Sequence, residues 1–336
     1  MSTIASYGEV NLPIRVGIVG TGFAAKIRAQ SITAENRTQL FAVAGRTPTR
    51  TAEFAAEFNA IAVDDWQTLI QMPEIDMVIV GTINSNHSEI ARAAIEAGKH
   101  TIVEYPLALD PHLAAEIIEL ATAKKVLLHV EHIELLGGLH QTMREQLHHL
   151  GEVYYARYST IVTSRPVAEK WTFNRSEFGF PLSAALSRLH RFTDLFGSIE
   201  SINCNNQYWG GVGDYYKTCL CNAQFRFKNS RTVGEVTYGK GEGLWQNSRK
   251  FEAHGENGAL IFDGDEGVLI QDGVSTPLDL GARKGLFSKD LELVLDHLID
   301  GKPNYVMPAA SLGTLRVADA ARISAETRKT VVIDSL

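Results

Sequence analysis

The strongest constraint on the fold is a rhythm in the first 130 residues, where short apolar runs alternate with helical stretches. IRVGIVG (14–20), LFAVAGR (40–46), DMVIVGT (76–82), HTIVEYP (100–106) and VLLHVEH (126–132) read as five strands. They are apolar without a clean two-residue alternation, as expected of strands covered on both faces in a parallel sheet. The stretches between them, such as 87–98 closed by Gly98 and 112–125, read as crossover helices. Repeated in this order they imply right-handed βαβ units and a doubly wound sheet.

After about residue 150 the rhythm changes. Short strand-like runs at 152–162, 208–214, 219–227, 232–238, 249–255, 259–264 and 267–273 are separated by turn residues such as Glu256-Asn257-Gly258. That pattern predicts a largely antiparallel sheet. Helices return at 288–301 and 309–329. The expected fold class is an α/β Rossmann domain (1–130) followed by an α+β domain (131–336) with a large open, mostly antiparallel sheet. The last helix is a candidate to pack back on the first domain.

Bulk properties narrow the function. The 336 residues carry a formal charge of −7, which argues against a nucleic-acid footprint. No apolar stretch approaches the roughly 18 residues of a membrane helix, and the start has no basic region followed by an apolar run. The three Cys, at 204, 219 and 221, suit reduced thiols. A cytoplasmic protein without a membrane partner is expected. Cys219 and Cys221 would share one face of a strand as small apolar residues. No metal spacing stands out.

The first βα turn, Gly20-Thr21-Gly22-Phe23-Ala24-Ala25, is a G-x-G-x-x-A. Gly20 permits the turn, Gly22 lets backbone approach a pyrophosphate, and Ala25 lets helix and strand pack closely. The helix N-terminus offers N–H groups to the phosphates. No acid lies between Glu35 and Glu53, where NAD-binding versions place one against the ribose. Arg46 and Thr47 instead follow the second strand, suited to a 2′-phosphate. NADPH is the expected cofactor, with NADH weaker.

Together GIVGTGFAA, GTINSNH (81–87) and EYPLAL (104–109) resemble the Gfo/Idh/MocA oxidoreductases, over essentially the whole chain. The resemblance implies that Thr82, Ile83, Asn84 and His87 lie along the cofactor, with Glu104 and Tyr105 near the nicotinamide. The chain departs from the family where E-K-P becomes Glu104-Tyr105-Pro106. It departs again in 179–197, which has no D-x-x-x-H. Without the Lys and the Asp–His pair, oxidation of an alcohol has lost its base.

Biliverdin reductases of the cyanobacterial type combine these two departures, and the stretches 127–138, 151–161, 179–197 and 236–242 are similar to that branch. The resemblance implies reduction of biliverdin IXα to bilirubin, with hydride arriving at the C10 methine and a proton at a pyrrole nitrogen. Tyr105 then need not be a base; it can bound the reacting groups with its ring and hydrogen-bond through its hydroxyl.

The segment 182–196 reads as one helix with Leu182, Leu186, Leu189, Phe192 and Phe196 on an apolar stripe. Arg188 and Arg191 lie on its polar face and are the expected catalytic groups, polarising the bilin or a water or clamping a propionate. His190 is a weaker candidate. Lys240 and Arg249 are among the cations expected to meet a dianion, as is Arg283, and His129, Glu131, His132 and Glu134 are expected to form a polar wall of the substrate pocket. A sugar or inositol dehydrogenase and a non-catalytic NADP(H) sensor are the rival readings. The oligomeric state, monomer or homo-oligomer through the open sheet, stays open.

Overall fold

The computed structural model describes residues 7, 10–281 and 284–333; Arg283 lies outside them. The chain forms two compact units. The first runs to Ile133 and takes in Gly285–Leu312; the second takes Glu134–Lys284 and the chain from Gly313. The sequence boundary near 130 therefore needs a correction: residues 285–312 belong with the first unit. The reason is hydrophobic. Leu291, Val294, Leu295 and Leu298, on one face of a helix at Leu286–Asp300, join the core of Ile14, Val16, Ile18, Ala29 and Ile32.

The first unit holds a six-stranded, wholly parallel sheet in the order β3-β2-β1-β4-β5-β6. Its strands are β1 (Ile14–Val19), β2 (Thr38–Ala44), β3 (Ile61–Val63), β4 (Met77–Val80), β5 (His100–Val103) and β6 (Leu128–Val130). β3 is the one that the run-by-run reading misses. It is three residues long, and Ile61 and Ala62 are exposed. Helices α1 (Phe23–Ala34), α2 (Pro48–Glu57), α3 (Trp66–Gln71), α4 (His87–Glu96) and α5 (Pro111–Lys124) make the crossovers.

The second unit opens with α6 (Gly138–Gln146) and builds a nine-stranded sheet, β14-β13-β12-β11-β7-β10-β9-β8-β15. The strands that position the site are β7 (Val153–Thr163), β8 (Ile199–Trp209), β9 (Thr218–Phe227), β10 (Val233–Gly241) and β11 (Ser248–Gly255). β12 (Gly258–Asp263), β13 (Glu266–Gln271) and β14 (Val274–Pro277) extend one edge, and β15 (Val331–Val332) the other. β7 and β10 pair parallel; the other pairings are antiparallel.

Alternation along β7 selects one face. Ala156, Tyr158 and Thr160 are buried, whereas Tyr155, Arg157 and Ser159 are half-buried. The half-buried face is polar and internally paired: Tyr155 donates to Glu235 (3.1 Å), and Arg157 meets Glu252 (2.7 Å). Short helices cover the buried face: α7 (Arg175–Phe178), α8 (Pro181–Ala184) and α9 (Ser187–Phe196). Phe192 packs edge-on to Phe225 at 4.9 Å between ring centroids. The continuous helix expected over 182–196 is broken. Ala185 takes φ −108°, ψ 41°, outside the helical region, and α9 starts afresh at Ser187.

Candidate active site

In the first unit the G-x-G-x-x-A turn has the geometry its residues demand. Gly20 sits at φ +124°, and a Cβ there would lie 2.3 Å from the Gly81 carbonyl oxygen; only glycine fits. Gly22 is the N-cap of α1 and brings no side-chain cap, and a Cβ on it would meet nothing within 4 Å. The turn therefore leaves open space over an uncapped helix N-terminus, which fits a pyrophosphate. Phe23 begins α1 exposed, followed by Ala24 and buried Ala25. Arg46 and Thr47 are exposed directly after β2. Arg50, which the sequence reading missed, reaches back to the Thr21 carbonyl at 3.3 Å and joins Arg46 as a cation beside the turn.

Thr82 and Ile83 are half-buried; Asn84 and His87 are buried. His87 braces two loops. Its Nδ1 lies 2.9 Å from the Pro106 carbonyl and its Nε2 3.3 Å from that of Thr82. Burial holds its pKa below the ordinary value, so the ring is neutral. It is held as a support rather than offered to a ligand. Tyr105 is half-buried and stacked on His132, with ring centroids 5.5 Å apart and planes within 3°.

Behind Glu104 lies a network with Arg28 at its centre. The fully buried guanidinium meets Glu104 at 2.9 Å and is ion-paired to Asp290. Asp290 accepts from Tyr305 (2.6 Å) and pairs with His129 Nε2 (2.8 Å). Despite burial, Arg28 and His129 hold the Asp290 carboxyl well below the usual carboxylate range. Burial and the adjacent Glu104 push the Glu131 carboxyl well above it. His132 pairs through Nε2 with Ser311 (2.9 Å). These contacts correct the expected polar wall. His129, Glu131 and His132 are all buried, and Asp290, the Ile133 amide and Ser311 hold them within this unit. They fix the chain around Glu104 and Tyr105 instead of facing a substrate.

The second unit carries the other candidates on the buried face of its sheet. Arg188 is half-buried, with its guanidinium 5.7 Å from the Tyr238 ring centroid and Nη1 donating to Ser187 (2.8 Å). Arg191, expected on a polar helix face, is buried. It lies 5.4 Å from the Tyr158 ring and donates through Nη2 to Glu134 (2.5 Å). Arg249 stands opposite Thr160 across the β11/β7 pairing, on the same face, and also binds Asp265 at 2.8 Å. Burial alone would raise the Glu134 carboxyl, but Arg191, then Arg188 and Arg249, hold it below its ordinary value. The sequence groups Glu134 with His129, Glu131 and His132; the structure places it with the arginines instead.

Two other candidates are placed away from this cluster. Lys240 is buried among Phe178, Phe173 and Tyr216, 3.5 Å from the first ring centroid, and donates to the Thr172 carbonyl. Burial lowers its pKa to about 7. The caged amine is spent on internal packing, which corrects its expected substrate role. His190 is buried and lowered by burial to about 4, so it is no base for a hydroxyl.

Comparison with known proteins resolves what this arrangement belongs to. The model described as "Oxidoreductase family, NAD-binding Rossmann fold" matches residues 14–132, and its partner, the C-terminal alpha/beta domain, matches 144–333. The chain belongs to the Gfo/Idh/MocA oxidoreductase family. It is an NAD(P)H-dependent oxidoreductase with the two-part architecture that the sequence predicts. A biliverdin reductase from Synechocystis sp. PCC 6803, solved with biliverdin and NADP+, is 48% identical, with a TM-score of 0.91, covering 94% of this chain and 99% of that one. Mouse biliverdin reductase A is 28% identical over 294 residues, 84% of this chain and 94% of the mouse protein. Levoglucosan dehydrogenase shares the fold, with a TM-score of 0.84 at 21% identity, covering 96% of this chain and 99% of that one. The similarity to the cyanobacterial-type biliverdin reductases thus extends along nearly the entire sequence. Among the described residues, no helix is long and apolar enough to cross a membrane.

Proposed function

We propose that the chain reduces biliverdin IXα to bilirubin with NADPH, delivering hydride to the C10 methine while a pyrrole nitrogen gains a proton. The observation that carries this reading is the 48% identity, over 94% of the chain, to a protein solved with biliverdin and NADP+. The site chemistry supports it. The segment that bears an acid–base pair in sugar-oxidising members presents Arg188 and Arg191 here, beside two tyrosines. A bilin has no hydroxyl to deprotonate; it has an extended π-system and two carboxylates.

The turn at Gly20 and Gly22 and the start of α1 would hold the pyrophosphate. Arg46 and Thr47, with Arg50 nearby, would take the 2′-phosphate. When bound, the cofactor supplies the hydride. Tyr105, fixed by its stack on His132, would set the distance between the reacting rings. A guanidinium is too weak an acid to be the donor itself. Arg188 would instead polarise the bilin or a bound water so that a nitrogen accepts its proton as hydride arrives.

The purified protein, NADPH and biliverdin are mixed and the absorbance followed. The expected result is loss of the biliverdin band and growth of the bilirubin band. Arg188→Ala is expected to lower kcat by about 100-fold, the usual effect of removing one electrostatic stabiliser. An enzyme that binds NADPH but leaves biliverdin untouched between pH 5 and 9 overturns the reading.

A further inference from the structure

Glu134 lies in the field of all three arginines on the second unit's sheet face, and it stands 57 residues away in sequence from Arg191, which it binds. Arg191 has 5% of its side chain exposed, and its Nε and Nη1 have no hydrogen-bond partner, so its fork is held through the Nη2 bond to Glu134 alone. An arginine placed this way has two reasons to move. Its remaining N–H groups are unsatisfied, and Arg188 lies one helical turn away on α9 with the same charge. Glu134 opposes both. It binds Arg191 directly, and its carboxylate lies in the field of Arg188 and Arg249 as well. Tyr158 and Tyr238, on the neighbouring strands β7 and β10, take the flat faces of Arg191 and Arg188. Glu134 thus sets a negative charge among the three guanidiniums, while Arg249 also binds Asp265 and Arg188 stays half-buried.

We infer that Glu134 is a positioning residue for the reduction. It pins Arg191 and damps the repulsion within the arginine cluster, so that Arg188 keeps the placement from which it acts on the bilin. This inference rests on the biliverdin reading and names a residue that works through the arginines without touching the reacting atoms.

The test is steady-state kinetics of the full-length enzyme with NADPH and biliverdin, comparing wild type, Glu134→Gln and Glu134→Asp. Glu134→Gln keeps size and an acceptor but loses the charge. It is expected to lower kcat by roughly 10- to 100-fold, the scale of one charge-assisted hydrogen bond. KM for biliverdin is expected to fall as well, because a dianion then meets a more positive cluster. Glu134→Asp retains the charge and is expected to recover part of kcat. A stabilising contact with no part in the reaction would lower the melting temperature and leave the kcat of folded enzyme alone. A folded Gln variant with kcat within twofold of wild type overturns the inference, as does an Asp variant that recovers nothing. Should the Gln variant not fold, Arg191→Lys is the second test: a fall in kcat is expected, and a wild-type kcat overturns the inference. Wild-type enzyme that does not reduce biliverdin overturns the parent reading and this inference with it, whereas active wild type with an indifferent Glu134 overturns this inference alone.

Discussion

The two units each bury an arginine, and they balance its charge in opposite ways. In the first unit one guanidinium, Arg28, is surrounded by three carboxyl groups, Asp290, Glu104 and Glu131, the last with its pKa pushed up. In the second unit one carboxylate, Glu134, is surrounded by three guanidiniums. In the first arrangement Arg28 and Asp290 are both fully buried. In the second the acid is partly open to water, with 37% of its side chain exposed, and Arg249 also binds Asp265. A fully buried ion pair fixes the backbone that carries it. A partly exposed, arginine-rich cluster can meet a ligand of opposite sign.

The comparison breaks most visibly under mutation of its acids. Asp290→Ala strands Arg28 without its main partner and is expected to cost about 3–5 kcal/mol of stability, measured by denaturant unfolding. Glu134→Gln is expected to shift the same midpoint far less, because water screens a partly exposed pair. Equal losses would erase the distinction between the two networks.

Arg46 sharpens the point, since it is exposed and no acid is expected beside it. If exposed cations near the cofactor turn are there for phosphate, Arg46→Ala raises KM for NADPH by roughly 10- to 100-fold. KM for NADH should stay where it is. Equal changes in both would remove the 2′-phosphate assignment.

The smallest expected effect concerns a third polar cluster, His140, His190 and Asp194, in which His140 lies 2.7 Å from Asp194. Burial lowers His190 to about 4 in the folded chain, against an ordinary value near 6.5 in the unfolded one. The unfolded state therefore binds more protons between these limits. The contribution to stability is complete above pH 6.5 and is lost as pH falls toward 4, amounting to about 1 kcal/mol by pH 5.5. His140 is lowered too, with the same sign. A melting temperature that rises on acidification from 7 to 5.5 would contradict this.

The parallel sheet was readable because buried strands and crossover helices carry different periods, and because Gly20 and Gly22 have a backbone reason to be glycine. Strands with neither signature went unread. β3 is too short to show a pattern, and most of β8 is a polar alternation, Asn203, Asn205 and Gln207 facing water. The catalytic candidates were partly readable. Arg188 stood out as a cation on a segment where the family places an acid–base pair. Helical periodicity put Arg191 on a solvated face, whereas tertiary contact with Tyr158 and Glu134 buries it. His129, Glu131, His132 and Glu134 form one cluster in sequence. The turn at Ile133–Leu135 parts them, sending three into the Arg28 network and the fourth to the arginines. No local pattern encodes that division.

The break at Ala185 has a consequence for the field around Arg188. A helix continuous from 182 would place that residue in mid-helix, where the peptide dipoles cancel locally. Because α9 starts at Ser187, Arg188 instead stands in a first turn, at the positive pole of the helix. Its amide donates to the Ala185 carbonyl, and that of Leu189 to Leu186, so these N–H groups are already engaged. What remains is potential. A cation at this pole is disfavoured by about 0.3–1 kcal/mol, and an electron-rich group settling beside it relieves that repulsion. The kink therefore puts Arg188 where a neighbouring negative charge would be welcome.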